Sequence, residues 1–230
     1  MAFAEPVTVV GGGTLSRSAL DLARGVAPVV VAADGGANAL RGWGQPVHAV
    51  VGDMDSIRDL DAWRRDGARV VLDSTQDSTD LDKLLRHVAA PAYVAVGFLG
   101  DRLDHSLAAI GTAARCCVPP FVLVGESDLV FAVPAAWRAD LAKGERLSIL
   151  CLRPVCVERM TGLFWPPGGL PPGGLPLPAF GTRGVSNLAT GGPVELQFDQ
   201  PGALLVLRRE NLRLALESLT GASSRNGPQR

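Results

Sequence analysis

The sequence predicts an α/β protein: an N-terminal, doubly wound, mostly parallel sheet of Rossmann-like type over residues 1–135, then a smaller all-β sandwich domain over residues 136–218. Three observations carry this prediction. From residue 5 to about 126, short apolar runs recur in a nearly continuous form, which suits parallel strands buried on both faces. Amphipathic segments lie between those runs and supply the crossovers that parallel strands need. After Pro134 the apolar runs arrive with turns between them and no intervening helical pattern.

In chain order, the first domain is expected to place strands at residues 7–10, 29–32, 49–51, 70–72, 93–96 and 121–124. Helices are expected at 16–24, 57–66, 80–88 and 105–115. In the second domain, strands are expected at 147–152, 155–158, 194–198 and 203–207. Val194, Leu196 and Phe198 alternate there with Glu195 and Gln197, the period of a strand with one wet face. Residues 166–175 are a tandem PPGGL repeat, too short for a solenoid and too rich in proline for a central strand, so an exposed hairpin loop is expected. Residues 219–230 are polar and unpatterned, which predicts disorder.

Composition removes several classes of function. With 230 residues, 47% of them hydrophobic and 20% charged, the chain is an ordinary globular sequence. A net charge of -1 and a pI near 6.3 give no footprint for nucleic acid or an anionic membrane. No run approaches the roughly 18 apolar residues of a membrane span, and the first residues lack a basic stretch leading into an apolar one. A cytoplasmic protein is expected. The four cysteines, Cys116 with Cys117 and Cys151 with Cys156, lack the spacing of a zinc or redox site and read as buried free thiols.

Three acidic clusters carry the chemistry: Gly52-Asp53-Met54-Asp55-Ser56, Ser78-Thr79-Asp80 and Asp101-Arg102-Leu103-Asp104-His105. Each falls where an apolar run stops, at the strand ends where open α/β sheets bind ligands, and clustered carboxylates are the hard-oxygen environment that Mg²⁺ prefers. Asp53 and Asp55, one residue apart, can project to one side of a turn and hold one cation; solvated acids of an Asx-turn are the alternative. Asp80 opens a helix whose N-cap is Ser78 or Thr79 and shares a face with Lys83, although acids there also serve the helix dipole. Arg102 can fork onto phosphate oxygens. Gly11-Gly12-Gly13 follows the first strand, where bare N–H groups can approach phosphate, and Asp34-Gly35-Gly36-Ala37-Asn38 reads as a similar turn. His105 reads as a base or as a helix-cap residue.

Taken in order, these stretches resemble the thiamine pyrophosphokinase family. The matching pieces are the ADGGAN-like turn at residues 33–38, GDxDS at 52–56, QDxTDxxK at 76–83 and GxRxDH at 100–105, with Gly162-Leu163-Phe164-Trp165 and Gly184-Val185-Ser186-Asn187 further on. The resemblance implies transfer of pyrophosphate from ATP to the hydroxyl of thiamine, with Mg²⁺ as cofactor, AMP as product and a homodimer as the working unit. It implies Asp53, Asp55 and Asp80 as metal ligands, with Lys83, Arg102 and Asp104 at the transfer site. It implies Gly12, Gly13, Asp34, Gly35, Gly36, Asn38, Arg102 and His105 at ATP, and Trp165, Ser186 and Asn187 at thiamine, where an aromatic face suits a cationic ring. The chain departs from the family pattern at Asp101, Ala109 and Phe164. The competing readings are a pyrophosphokinase with another acceptor, such as a hydroxymethylpterin, and a non-catalytic nucleotide- or thiamine-binding module.

Overall fold

The computed structural model describes residues 1–221 apart from Asp101, residues 116–118 and Pro167. The expectations for Cys116 and Cys117, for Asp101 and for residues 222–230 of the tail lie outside the described residues. The chain divides into two compact units, residues 1–112 with 123–126, and residues 113–122 with 127 onward.

The first unit is built from β1 (Val7–Val10), α1 (Arg17–Arg24), β2 (Val29–Ala33), α2 (Asp34–Gly42), β3 (Ala49–Gly52), α3 (Leu60–Arg65), β4 (Arg69–Leu72), α4 (Asp80–His87) and β5 (Tyr93–Val96). The next two elements, α5 (Leu103–Arg115) and β6 (Phe121–Val124), run over the boundary between the units. The strands β5-β1-β2-β3-β4 lie side by side and all pair in parallel. The chain runs outward from β1 to β4 and then returns to β1's other side as β5. That reversal opens a crevice at the carboxyl ends of the strands, the place where such sheets take ligands. Valines and alanines of β1, β2, β3 and β5 are fully buried, as continuous apolar runs require. The edge strand β4 leaves Leu72 exposed.

Three helices differ from expectation. The predicted turn at residues 34–38 is instead the first turn of α2, which starts with no loop after β2. Gly36 makes this possible, because a Cβ there would meet Val10 O at 2.4 Å and Gly11 O at 2.8 Å. The helix predicted at 57–66 is the shorter α3, capped by the side chain of Asp59, which accepts from the N–H of Ala62 at 3.2 Å. Helix α5 starts two residues before the expected position and takes Asp104 and His105 into its first turn. Helix α1 starts within the expected 16–24, capped by Ser16, and at α4 the cap is Thr79, one of the two candidates, in a capping box with Asp82.

The second unit holds β7 (Asp128–Ala132), β8 (Ala136–Leu141), β9 (Arg146–Cys151), β10 (Val155–Thr161), β11 (Leu175–Leu177), β12 (Asn187–Leu188), β13 (Gly192–Phe198), β14 (Ala203–Arg208) and α6 (Leu212–Thr220). Its strands pair antiparallel in two sets, β12-β9-β14-β7, which are part of a ten-stranded sheet, and β11-β10-β13-β8, a four-stranded sheet. Val194, Leu196 and Phe198 of β13 are buried, as the alternation predicts. Within the repeat, Leu175 opens β11, an edge strand that tolerates Pro176. The expectation of an all-β second domain is corrected by α6, which buries Leu212, Ala215 and Leu216 and whose Ser218 hydroxyl accepts from Trp137 Nε1 at 2.9 Å. No helix among the described residues is long and apolar enough to cross a membrane.

Packing around the glycines of α2 gives a direct stability test. Gly36→Ala must push the helix off β1 and should cost about 2 kcal/mol, the scale of overpacking a tight interior. Gly42→Ala, which meets nothing within 4 Å, should gain about 0.5 kcal/mol by restricting the unfolded chain. Chemical denaturation of the two variants measures the contrast.

Candidate active site

A cleft of about 920 Å³ opens at the carboxyl ends of the first unit's strands. Its walls come from Gly12 and Gly13 after β1, Gly35 and Asn38 in α2, Ser56 after β3, residues 76–82 at the start of α4, residues 97–100 after β5, Arg102 just before α5, and His105, Ser106 and Ala109 of α5. The sequence-predicted residues that line it are therefore Gly12, Gly13, Gly35, Asn38, Asp80, Arg102 and His105.

Beside the cleft the protein gathers Asp34, Asp53 and Asp55, with one oxygen of each lying within 4.8 Å of the others. Sheet register brings them together, because Ala33 of β2 pairs with Val51 of β3 and the next residues, Asp34 and Gly52, are then neighbours. A Cβ on Gly52 would meet Asp34 Cβ at 2.8 Å, so glycine before Asp53 is what lets the two strand ends close. Met54 adopts a left-handed backbone, φ 68°, and this turn puts Asp53 and Asp55 on one side. Such a conformation costs a non-glycine residue about 1 kcal/mol or more.

The three carboxylates differ in environment. Asp34 is 2% exposed; its Oδ2 accepts from Ser56 N–H at 3.1 Å, while its buried Oδ1 has no hydrogen-bond partner. Burial raises its pKa, the Ser56 bond opposes this, and the nearby charges of Asp53 and Asp55 raise it further. Asp53 is shifted the other way by Lys83, whose Nζ donates to Oδ2 at 2.7 Å. Asp55 is exposed and accepts from the Ser56 hydroxyl at 2.8 Å. Asn38 fixes this turn by donating to Ser56 O at 2.8 Å and accepting from Arg58 N–H at 2.8 Å.

Lys83 is 4% exposed and sits between Asp53 and Asp80, 3.7 Å from Asp80 Oδ1. Burial opposes its charge, but the Asp53 hydrogen bond and the carboxylates of Asp53, Asp80 and Asp73 outweigh it, and its pKa is raised. Of the three acids that the family resemblance implies as metal ligands, Asp53 and Asp55 share a group with Asp34, and Asp80 stands 3.7 Å from Lys83, which also pairs with Asp53. At the other wall, Asp104 accepts a two-pronged contact from Arg102, at 3.2 Å from Nε and 2.7 Å from the terminal nitrogen. The contact lowers the Asp104 pKa and raises that of Arg102. With both side chains 65% exposed, the guanidinium is held at the rim rather than sealed into the wall.

The donor set fits a divalent cation. Mg²⁺ takes carboxylate oxygens, and a buried carboxylate oxygen that accepts no hydrogen bond is a ligand atom without another role. Sequence reasoning placed Asp34 with ATP and missed it as the third member of this group. The available signal was that Asp34, like Asp53, follows a buried apolar run directly.

In the second unit, the Asn187 side chain is 5% exposed and spent on the Trp165 backbone, accepting from its N–H at 3.1 Å and donating to its carbonyl at 2.7 Å. Ser186 is exposed with φ 59°, and its N–H donates to Ser148 Oγ at 3.0 Å. Asn187 therefore sets where Trp165 stands, and Trp165 and Ser186 keep accessible surface.

The Asp34 shift fixes a pH dependence. A carboxyl whose folded pKa is raised favours folding when protonated and weakens it once pH rises through the folded value. Asp34→Asn, which keeps a neutral side chain, should therefore be more stable than the parent at pH 7, and the advantage should vanish as pH falls below the ordinary value of 3.8. Melting temperatures of the two proteins across that range check the sign.

Comparison with known proteins enlarges this picture. Residues 23–121 match the model of the thiamin pyrophosphokinase catalytic domain, a stretch that spans β2 to β5 and includes Asp34, Asp53, Asp55, Asp80 and Asp104. Among curated proteins no sequence matches the chain. The fold is similar to yeast thiamin pyrophosphokinase, with a TM-score of 0.73 at 15% identity over 89% of this chain and 86% of that one. It is also similar to thiamin pyrophosphokinase from Candida albicans, at 0.68 and 13% over 90% and 92% of the two chains. The Bacillus subtilis thiamine pyrophosphokinase gives 0.67 and 19% over 89% and 98%. Residues 23–121 are thus similar to the catalytic domain of the thiamin pyrophosphokinase family, the family that the ordered motifs resemble.

Proposed function

We propose that the protein transfers the pyrophosphoryl group of ATP to the hydroxyl of thiamine, giving thiamine diphosphate and AMP. The observation that carries this reading is the Asp34, Asp53 and Asp55 group with its buried lysine beside a glycine-walled cleft, inside a region that matches the family's catalytic domain. In the transfer, the thiamine oxygen bonds to the β-phosphorus and loses its proton. The bond from that phosphorus to the bridging oxygen of the α-phosphate breaks, and AMP leaves with the electron pair.

Such a reaction asks a protein mainly to position the polyphosphate and offset its charge. The backbone at Gly12 and Gly35 is bare of side chains, so its N–H groups can approach phosphate oxygens, while the Gly13 N–H donates to Gly97 O at 2.8 Å and holds the wall together. Arg102 stands at the rim, pre-aimed by Asp104, and can exchange that carboxylate for a phosphate of the same fork geometry. Asp34, Asp53 and Asp55 would hold Mg²⁺, which would neutralise polyphosphate charge. Lys83 keeps Asp53 ionised for that role, and Asp80 marks the cleft side of the same ion-pair group. Trp165 and Ser186 are assigned to the thiamine ring, and Asn187 to holding Trp165 in place. The resemblance also supports a homodimer, which sedimentation of the active species tests.

Incubation of the purified protein with ATP, Mg²⁺ and thiamine should yield AMP and thiamine diphosphate in equal amounts. AMP formed only with a hydroxymethylpterin would move the reading to that acceptor, and no AMP with either would leave a binding module. Asp55→Asn, at an exposed position, should keep the parent melting temperature and lose about 100-fold or more in kcat/KM, the scale of removing one preorganised electrostatic group. Near-normal turnover at saturating Mg²⁺ would place the metal elsewhere.

A further inference from the structure

Asp73 follows β4 directly and is 9% exposed, and its side chain's only link to the site described above is the charge it adds in support of Lys83. Its N–H donates to Gly52 O at 2.8 Å, which ties it to the residue before Asp53. Its Oδ1 accepts from the Thr75 N–H at 3.1 Å and from the Thr75 hydroxyl. Its Oδ2 meets Arg86 at 3.1 Å and His87 Nε2 at 2.9 Å, and the same Arg86 nitrogen reaches Thr75 Oγ1 at 3.0 Å.

These partners are not neighbours by chance of sequence. Thr75 is the third residue of the connection between β4 and α4, and Arg86 and His87 lie in the last turn of α4. Between them lie the cleft-lining residues 76–79 and then Asp80 and Lys83 in the first turn. One buried carboxylate thus fastens the start of the connection to the far end of the helix that follows it, closing the segment on itself. An eight-residue helix is rigid over its roughly 12 Å length, so fixing its last turn also fixes the first, where Asp80 and Lys83 stand. The His87 carbonyl accepts in turn from the Met1 ammonium at 2.6 Å, which anchors the clasp to the chain's first residue.

We propose that Asp73, with Thr75, Arg86 and His87, is the positioning group for the polyphosphate wall of the cleft: it holds residues 76–80 in the arrangement that receives the nucleotide. The proposal rests on the nucleotide reading of the cleft. Ordering the loop residues of this connection costs backbone entropy. A site that holds them ordered in advance does not incur that cost when the ligand binds.

Thr75→Val removes the hydroxyl at constant shape, Thr75→Ser restores it, and Asp73→Asn weakens the whole clasp. Amide hydrogen exchange and steady-state kinetics on the same proteins test the proposal. In Thr75→Val and Asp73→Asn, the amides of residues 74–79 should exchange faster while those of β1 and β2 keep their protection. The KM for Mg·ATP should rise about tenfold, the scale of losing a hydrogen bond to a charged group, with the KM for thiamine changed less than about twofold. Thr75→Ser should return both readouts to parent values. Unchanged exchange at 74–79 in both variants would overturn the proposal, as would loss of protection spread evenly over the strands with both KM values shifted together. If the parent protein forms no product, the nucleotide reading fails by itself. Calorimetric binding of Mg·ATP and the exchange data then still decide whether the clasp orders the wall.

Discussion

The ammonium of Lys83, almost wholly buried, is the constraint on which the rest of the site depends. A buried cation is tolerable only when paired and hydrogen-bonded. Lys83 meets that need by reaching from α4 to Asp53 at the end of β3 and by standing near Asp80 of its own helix. The pairing locks the first turn of α4 against the GDxDS turn. It also leaves a local imbalance, because the group of Asp34, Asp53 and Asp55 brings three carboxyls against one ammonium. Burial, helped by the charges of Asp53 and Asp55, raises the Asp34 pKa, and a divalent cation would correct the same imbalance without a proton.

Close backbone approach at the strand ends makes that arrangement possible. Gly36 lets α2 start flush against β1, and Gly52 leaves room for Asp34 across the β2 and β3 register. The same parallel order, with β1 between β2 and β5, opens the crevice that these residues line. Fold and site are therefore set by one feature, the carboxyl edge of a parallel sheet whose turns are short enough to crowd acids together. The left-handed Met54 is the local strain within this arrangement.

Much of this was legible in the sequence, and the reasons are local. Strands β1, β2, β3, β5 and β6 read as buried runs because both faces are covered, and the N-cap candidate Thr79 announced its helix. Asp53 and Asp55 could be paired from spacing alone. Asp34 could not be joined to them, because its nearness depends on which strands are adjacent and in what register. Helix α2 hid behind two glycines that usually mark a turn, and here mark contact with β1. Helix α6 has a readable helical pattern in Leu212, Ala215 and Leu216, but a neighbourhood of strands drew the expectation of an all-β domain. Strand β8 buries Trp137, Ala139 and Leu141 in strict alternation and was passed over because charged residues lie between them. Asn187 offered no signal at all, since its amide serves the backbone of a residue 22 positions away.

The central claim is that Asp34, Asp53 and Asp55 form one cation site, with Lys83 and Asp80 beside it. Anomalous scattering from crystals grown with Mn²⁺ and a non-hydrolysable ATP analogue tests it most directly. The account predicts an ion peak at bonding distance from carboxylate oxygens of Asp34, Asp53 and Asp55. A peak held by Asp104 or by Asp80 alone, with Asp34 still unliganded, would contradict it.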